Sequence, residues 1–414
     1  MSAIVATTDP AARTSVKAAG GQVANLPSYQ AHKQHIPATE VVKNYSFNTT
    51  GTWSSYSQVI LTPDALPDVC DQFTLVLNLG AITKTGGTYA SFVNDGSFLT
   101  KMIEVRVGAN LITTLYPESW YLGPVLHLST EDKLRYLPAI GNATQANRRT
   151  AASSAQTISI DIPIPFVNMQ GWNTKAHSGQ QLDIKVYHND LTTVVQTDGT
   201  APACAINSVQ LLVSGRNYLN QQNLINTVLA GRKMGHVDQR FLDPVQQSFV
   251  LPSGSAQYSV QLTNMTGLYS HLLFVVRASS NLGTPLGNSP DTFAALASYT
   301  MLDSAGNIIL PQTSSAYALG NYAAKYVRGD LTDFNSGLAT TEKDIYAVFF
   351  DRHPFESLRS GTQDGFMKLD GLAKLQLNFA TATSANYQVD VIGYLWSNVV
   401  TSAAGVVSKQ VVIG

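Results

Sequence analysis

Few side chains in this sequence are spaced for chemistry. His32 and His35 stand three apart, but no acidic residue or cysteine is close by to complete the three or four ligands that zinc requires. Asp68 with Asp71, and Asp364 with Asp370, could offer oxygen to calcium. Neither pair has the spacing of an EF-hand loop, so loop solvation is the better reading. His353 sits between Arg352 and Pro354 after an apolar stretch. Nothing nearby would orient it as a general base, so it reads as a hydrogen-bonded structural histidine. Neither a Gly-x-Ser-x-Gly elbow nor a phosphate-binding Gly-x-x-x-x-Gly-Lys-Ser/Thr loop occurs. Cys70 and Cys204 lie far apart and read as two structural thiols. Arg148-Arg149 is the one arginine pair, and Trp53, Trp120, Trp172 and Trp396 read as core or interface anchors. The expectation is a chain with no catalytic, cofactor-binding or metal-binding residues and no cofactor.

Composition narrows the class further. Of 414 residues, 13% are charged and 44% hydrophobic, against about 25% charged in ordinary globular domains. Ser, Thr, Asn, Gln and Gly fill the polar positions, which suits strands and turns better than exposed helices. The net charge of −1 leaves no basic excess to neutralise a nucleic-acid backbone, so sequence-specific nucleic-acid binding is not expected. A charge-poor, near-neutral surface is weakly protected against self-association, a useful property in an assembling protein. Met1–Gln30 lacks a basic segment followed by an apolar core, and no apolar run reaches 18 residues. A cytosol-like compartment is therefore expected, with the sequons at Asn48, Asn142 and Asn264 read as accidents of composition.

Residues 1–40 read either as a disordered tail or as an arm reaching a neighbouring subunit or underlying surface, with a short helix over Pro10–Ala19. Beyond it, β patterning dominates. Phe73–Leu79 and Lys101–Val107 alternate inward and outward residues, and Ile158, Ile160, Ile162 and Ile164 share one face. Pro163 and Pro165 place that strand at a sheet edge. Helices are expected at Pro117–Leu126, Thr130–Leu137, Asn217–Leu229 and Ala316–Tyr326. His271–Arg277 reads as a buried strand, and Asp303–Gly306 as a hairpin turn.

The two halves follow one order. Lys101–Val107, Leu111–Leu115, Ile158–Ile164, Leu182–Tyr187 and Val209–Val213 in the first correspond to Tyr299–Leu302, Ile308–Leu310, Ile345–Phe350, Ala373–Phe379 and Tyr387–Leu395 in the second. The predicted fold class is all-β: two eight-stranded jelly-roll β-sandwiches with short helical excursions and an N-terminal arm. The expected divisions are 1–40 for the arm, 41–215 for the first jelly roll, 216–245 for a helical linker, and 246–414 for the second jelly roll.

The stretch Asp344–Pro354 (Asp-Ile-Tyr-Ala-Val-Phe-Phe-Asp-Arg-His-Pro), followed by Ser360–Asp370 and two final strands, resembles the closing strands of double jelly-roll major capsid proteins. These come from tailless, membrane-containing icosahedral viruses and larger DNA viruses. The resemblance lies in order and texture over residues 40–414. It implies a homotrimer whose six sandwiches form a pseudo-hexagonal block, resident in the virion after synthesis in host cytoplasm. The implied partners are further copies, neighbouring capsomers, minor capsid, penton or spike proteins, and an internal viral membrane met by the arm. The implied outward towers are Ala81–Ser97, Gly141–Ala155, Leu191–Ala203 and Ser279–Asp291. The competing readings are a carbohydrate- or receptor-binding β-sandwich, as in a viral fibre or lectin, and a cupin-like or glycosidase enzyme. The enzyme would need convergent His/Glu or paired-carboxylate chemistry from only 27 acidic residues.

Overall fold

The computed structural model describes residues 15–17, 23–25, 38–92, 96–119, 130–141, 145–167, 171–176, 179–218, 237–281, 293–314, 345–354, 357, 364–402 and 406–412. Sixteen strands build two sandwiches. In the first half they are β1 (Ala38–Ser46), β2 (Tyr56–Leu61), β3 (Val69–Leu79), β4 (Thr100–Val107), β5 (Asn110–Leu115), β6 (Gln156–Asp161), β7 (Leu182–His188) and β8 (Ile206–Tyr218). In the second half they are β9 (Val237–Leu251), β10 (Gln257–Gln261), β11 (Thr266–Ala278), β12 (Ser298–Leu302), β13 (Ile308–Ser314), β14 (Tyr346–Phe349), β15 (Lys374–Asn378) and β16 (Tyr387–Thr401).

The sheets of the first half run β1-β8-β3-β6 and β2-β7-β4-β5, and those of the second run β9-β16-β11-β14 and β10-β15-β12-β13. Each sheet of one half has its strand-for-strand counterpart in the other, in the jelly-roll order. The five correspondences expected from sequence are those observed, and β1, β2 and β3 add three more with β9, β10 and β11. Even the accessory pairing repeats. Trp172–Asn173 joins the outer side of β3 beyond β6, and Met367–Asp370 joins the outer side of β11 beyond β14.

Alternation explains the first half. Ile103, Val105 and Val107 of β4, Leu182, Ile184 and Val186 of β7, and Phe73, Leu75 and Leu77 of β3 are all buried. Lys101, Arg106 and Asp183 point away from that core. Each fully buried aliphatic or phenyl side chain contributes about 1.5–3 kcal/mol. The β1-β8-β3-β6 sheet keeps one face outward, so β8 alternates between buried and half-buried residues.

The second half differs in one respect. β11 is buried from Gly267 to Arg277, and β16 from Val389 to Ser397. A strand reads as a continuous apolar run when both faces of its sheet are covered. Here Tyr269, Leu272, Phe274, Val389 and Val391 face the second half's own core. Leu273, Val275, Ile392, Tyr394 and Trp396 join the cluster that also contains the first half's core. The β9-β16-β11-β14 sheet is thus a middle layer, with its own sandwich on one side and the first half on the other.

Three expectations are corrected. The helical linker expected over 216–245 is strand at both ends, Ile206–Tyr218 and Val237–Leu251, and its middle lies outside the described residues. Pro244 lies within the second of these strands; among the described residues β9 pairs only with β16, and an edge strand tolerates a proline. The expected arm helix is strand at Ser15–Lys17, paired with Val23–Asn25; β-branched Val16 and Val23 flank the Gly20-Gly21 pair. Gly141–Ala155, expected as an outward loop, contains a helix, Gln145–Ala152. The expected helix at Thr130–Leu137 is present as Thr130–Ala139. Those at Ala316–Tyr326 and over most of Asn217–Leu229 lie outside the described residues, while Pro117–Ser119 is helical. The Asp303–Gly306 turn forms, with Gly306 at φ 84 and Asp303 N–H donating to Asn307 O at 2.9 Å. No helix among the described residues is long and apolar enough to cross a membrane.

A core shared by both halves predicts one cooperative unfolding event. Differential scanning calorimetry should show a single transition for the chain; two resolved transitions would contradict the shared core.

Candidate functional site

The candidate chemical residues are dispersed, and each is tied to its own part of the fold. Asp71 receives both arms of Arg216, at 2.7 and 3.0 Å. Asp68 accepts the Tyr218 N–H at 2.9 Å and faces Lys175 at 3.6 Å. These carboxylates bind β3 to the end of β8, and their cation partners are protein side chains. Asp364 pairs with His353 Nδ1 at 2.5 Å on the surface, and Asp370 accepts the Leu372 N–H at 3.0 Å, closing a turn. Among the described residues no group of three or more His, Cys, Asp or Glu is placed to hold a metal. His32, His35 and Trp120 lie outside the described residues.

Cys70 and Cys204 are free thiols. Burial raises both above the ordinary thiol value, Cys204 to about 11. The buried histidines are structural too. His188 meets Ser57 Oγ at 2.6 Å, and burial pushes it down to about 4. His271 stacks on Tyr394 with ring centroids 4.2 Å apart, and burial pushes it down to about 3. Both rings are therefore neutral at pH 7. A shallow cleft of about 410 Å³ lies beside the β4–β5 turn. It is lined by Ile60, Gly108, Gly179, Gln180, Gln181 and Asp183, which bring one carboxylate and no histidine, lysine or nucleophilic side chain.

Two constructed features stand out instead. The first is the tower end of the first half. Alternating strand directions put the β3–β4, β5–β6 and β7–β8 connections at the same end. Thr83–Thr85 pairs with Thr200–Ala203, and Ala90–Phe92 pairs with Val195–Thr197. The helix Gln145–Ala152 packs on Ala90–Phe92. Arg148 donates to Phe92 O at 3.0 Å, and Arg149 covers the Tyr89 ring at 3.5 Å. Asp198 accepts the N–H groups of Thr88 and Tyr89 and the Thr88 hydroxyl, which together hold its carboxyl well below the usual range. The three expected tower segments are thus one cross-braced cap. Asp190 caps the short helix Leu191–Val194 through the Thr192 N–H at 2.8 Å.

The second feature is the contact between halves. Phe166 lies edge-on to both Trp172 and Phe241, at 5.5 and 6.3 Å, carrying aromatic packing from one half to the other. Toward the other end of the same sheet, Arg277 of β11 is 1% exposed. Its guanidinium binds Glu118, which follows β5, at 2.6 Å, and also binds Asp390 of β16. Asp390 further accepts Ser248 Oγ at 2.5 Å and Gln388 Nε2 at 2.7 Å, and Gln246 reaches Glu118 at 3.2 Å. Burial opposes the charge on Arg277, but the two carboxylates outweigh it and hold the guanidinium protonated. A second ion pair, Lys409 with the buried Asp243, ties the closing strand Val407–Val411 to β9. Burial raises the Asp243 pKa, and Lys409 works against it.

No protein-family model matches the chain, and no curated protein matches it. Solved structures do. A structure of the PBCV-1 virus capsid gives a TM-score of 0.64 at 12% identity, covering 92% of this chain and 98% of that one. The Faustovirus major capsid protein gives 0.66 at 9% identity, covering 88% and 90%. The structure of the Sputnik virophage gives 0.61 at 11% identity, covering 90% and 89%. These are double jelly-roll capsid structures, and the fold of this chain is the double jelly roll.

Removing one partner of a buried charge network leaves the others uncompensated, at a cost of about 3–5 kcal/mol. Arg277→Met should therefore lower the urea-unfolding free energy by that amount. The triple replacement Arg277→Met, Glu118→Leu and Asp390→Leu should regain most of it. An Arg277→Met protein as stable as its parent would contradict the role assigned to the network.

Proposed function

We propose that the chain is the major capsid protein of an icosahedral virus. It acts as a structural subunit, not an enzyme, and forms homotrimeric, pseudo-hexagonal capsomers. The observation that carries this reading is the strand-for-strand repeat joined through one core. Three copies of a chain with two equivalent sandwiches supply six sandwiches. Threefold assembly then yields a nearly sixfold outline, which tiles a shell. The likeness in fold to capsid proteins over about nine-tenths of the chain supports the same reading. The chemically capable side chains are used to bind strand to strand, as a building block would use them.

In this reading the braced cap faces outward, where minor capsid, penton or spike proteins would meet it. β1 begins at the opposite end of the sandwich, so the preceding arm lies on the inner side, toward an internal viral membrane. Neighbouring capsomers are the lateral partners, sequence-specific nucleic-acid binding has no part, and the mature location is the virion shell after synthesis in host cytoplasm. Mass photometry of the purified chain tests the proposal. A stable species of three chain masses at micromolar concentration is expected, and a monomer there would overturn it.

A further inference from the structure

β9 opens the second half and Val407–Val411 closes it, and both strands pair with β16. Their registers put Asp243, Leu395, Val399 and Lys409 on one face of the sheet. Asp243 is 4% exposed. The Lys409 ammonium is in direct contact with Asp243 Oδ2, and Asp243 is its one ion-pair partner among the described residues. The other carboxylate oxygen, Oδ1, is buried and makes no hydrogen bond among the described residues. Two hydroxyls flank the carboxyl. One is that of Thr113 on β5. The other is that of Tyr269 on β11, which shares a cross-strand row with Asp243 through Leu395 and is itself buried without a hydrogen bond.

Lys175 and Asp68 show the ordinary alternative. Lys175 donates to Pro63 O at 3.0 Å and faces both Asp64 and Asp68 at 3.6 Å, while Asp68 accepts the Tyr218 N–H at 2.9 Å. Several partners hold each of those groups as an ion. Asp243 and Lys409 have instead each other, an orphaned oxygen and two neighbouring hydroxyls, and a buried orphan calls for an explanation.

We infer that Asp243 and Lys409 condense into an isopeptide bond, joining the first and last strands of the second half covalently. A proton passes from Nζ to Oδ2, leaving a neutral amine against a carboxylic acid. Nζ then bonds to Cγ, the Cγ–Oδ2 bond breaks, and Oδ2 leaves as water with two of the three ammonium protons. The third proton stays on the amide nitrogen, Oδ1 becomes the amide oxygen, and nothing is oxidised or reduced. Burial raises the Asp243 pKa and so favours the acid form, whose hydroxyl can leave. The Thr113 and Tyr269 hydroxyls are the donors at hand for the negative charge that gathers on Oδ1, and burial keeps the tyrosine protonated. Holding amine and carboxyl in contact supplies an effective concentration on the order of 10⁵ M, which offsets the unfavourable equilibrium of condensation in water. The bond closes a loop between residues 166 apart in sequence. It fixes the strand whose Val407 accepts from Asn110 and donates to Gln180 of the first half. It stands whether or not the chain assembles into capsomers.

Electrospray mass spectrometry of the denatured full chain, with proteolytic mapping, is the test. The parent should be lighter than its sequence mass by one water. Lys409→Arg keeps the charge but lacks the amine nucleophile, and it should have its full mass, as should Asp243→Ala. Mapping of the parent should yield one branched peptide joining the segments that contain Asp243 and Lys409, with Lys175 in linear peptides only. A parent of full sequence mass would overturn the inference, and so would a water lost elsewhere with Asp243 and Lys409 in separate linear peptides. The parent decides the matter even where a variant fails to fold.

Discussion

The structure depends on burying the outer face of one sheet of the second half against the first half. Sandwiches ordinarily leave such a face to water. Here the β9-β16-β11-β14 sheet carries Leu273, Val275, Ile392, Tyr394 and Trp396 on that side, too apolar a set to stay exposed. The same interface holds Arg277, Glu118 and Asp390 with almost no access to solvent. Desolvating three charges is costly, and apolar residues of similar volume would commonly be at least as stable. What the triad adds is direction. A guanidinium between two carboxylates, one from each half, tolerates little sliding or rotation, whereas an apolar face alone would accept several registers.

That constraint accounts for the contrast between otherwise equivalent halves. One sheet face is committed within the chain and is built like a core. Its counterpart on β1-β8-β3-β6 remains outward and is built like a surface. A charge content of 13% fits a molecule that hides much of its remaining area in company. The long connections collect at one end, where Asp198, Arg148 and Arg149 brace them, and β1 begins at the other.

Much of this was legible in the sequence because strand alternation is local. The isoleucines from Ile158 to Ile164 and the run Lys101–Val107 declare their inward faces without reference to anything distant, and the shared order of elements gave five correct strand correspondences. Local signals also misled. The linker expected to be helical over 216–245 runs at its end into a long edge strand whose partner lies near the end of the chain. The segment Gln145–Ala152 looked like loop because no apolar stripe marks it, although Ala, Gln and Arg favour helix. The interface network was out of reach. Arg277 stood at the end of an apparent strand, Asp390 within another, and Glu118 in an expected helix, and only the folded chain brings them together. Asp68 and Asp71, read from sequence as solvated loop residues, escaped for the same reason: their partners are Lys175 and Arg216, distant in sequence.

The proposed function turns on one claim, that a chain of two equivalent sandwiches joined through one core assembles in threes. Electron microscopy of the purified, unstained protein tests it directly. Class averages viewed down the symmetry axis should show six lobes of similar size in a hexagonal outline, with true threefold symmetry. Isolated two-lobed particles, or rings with another number of lobes, would contradict the account.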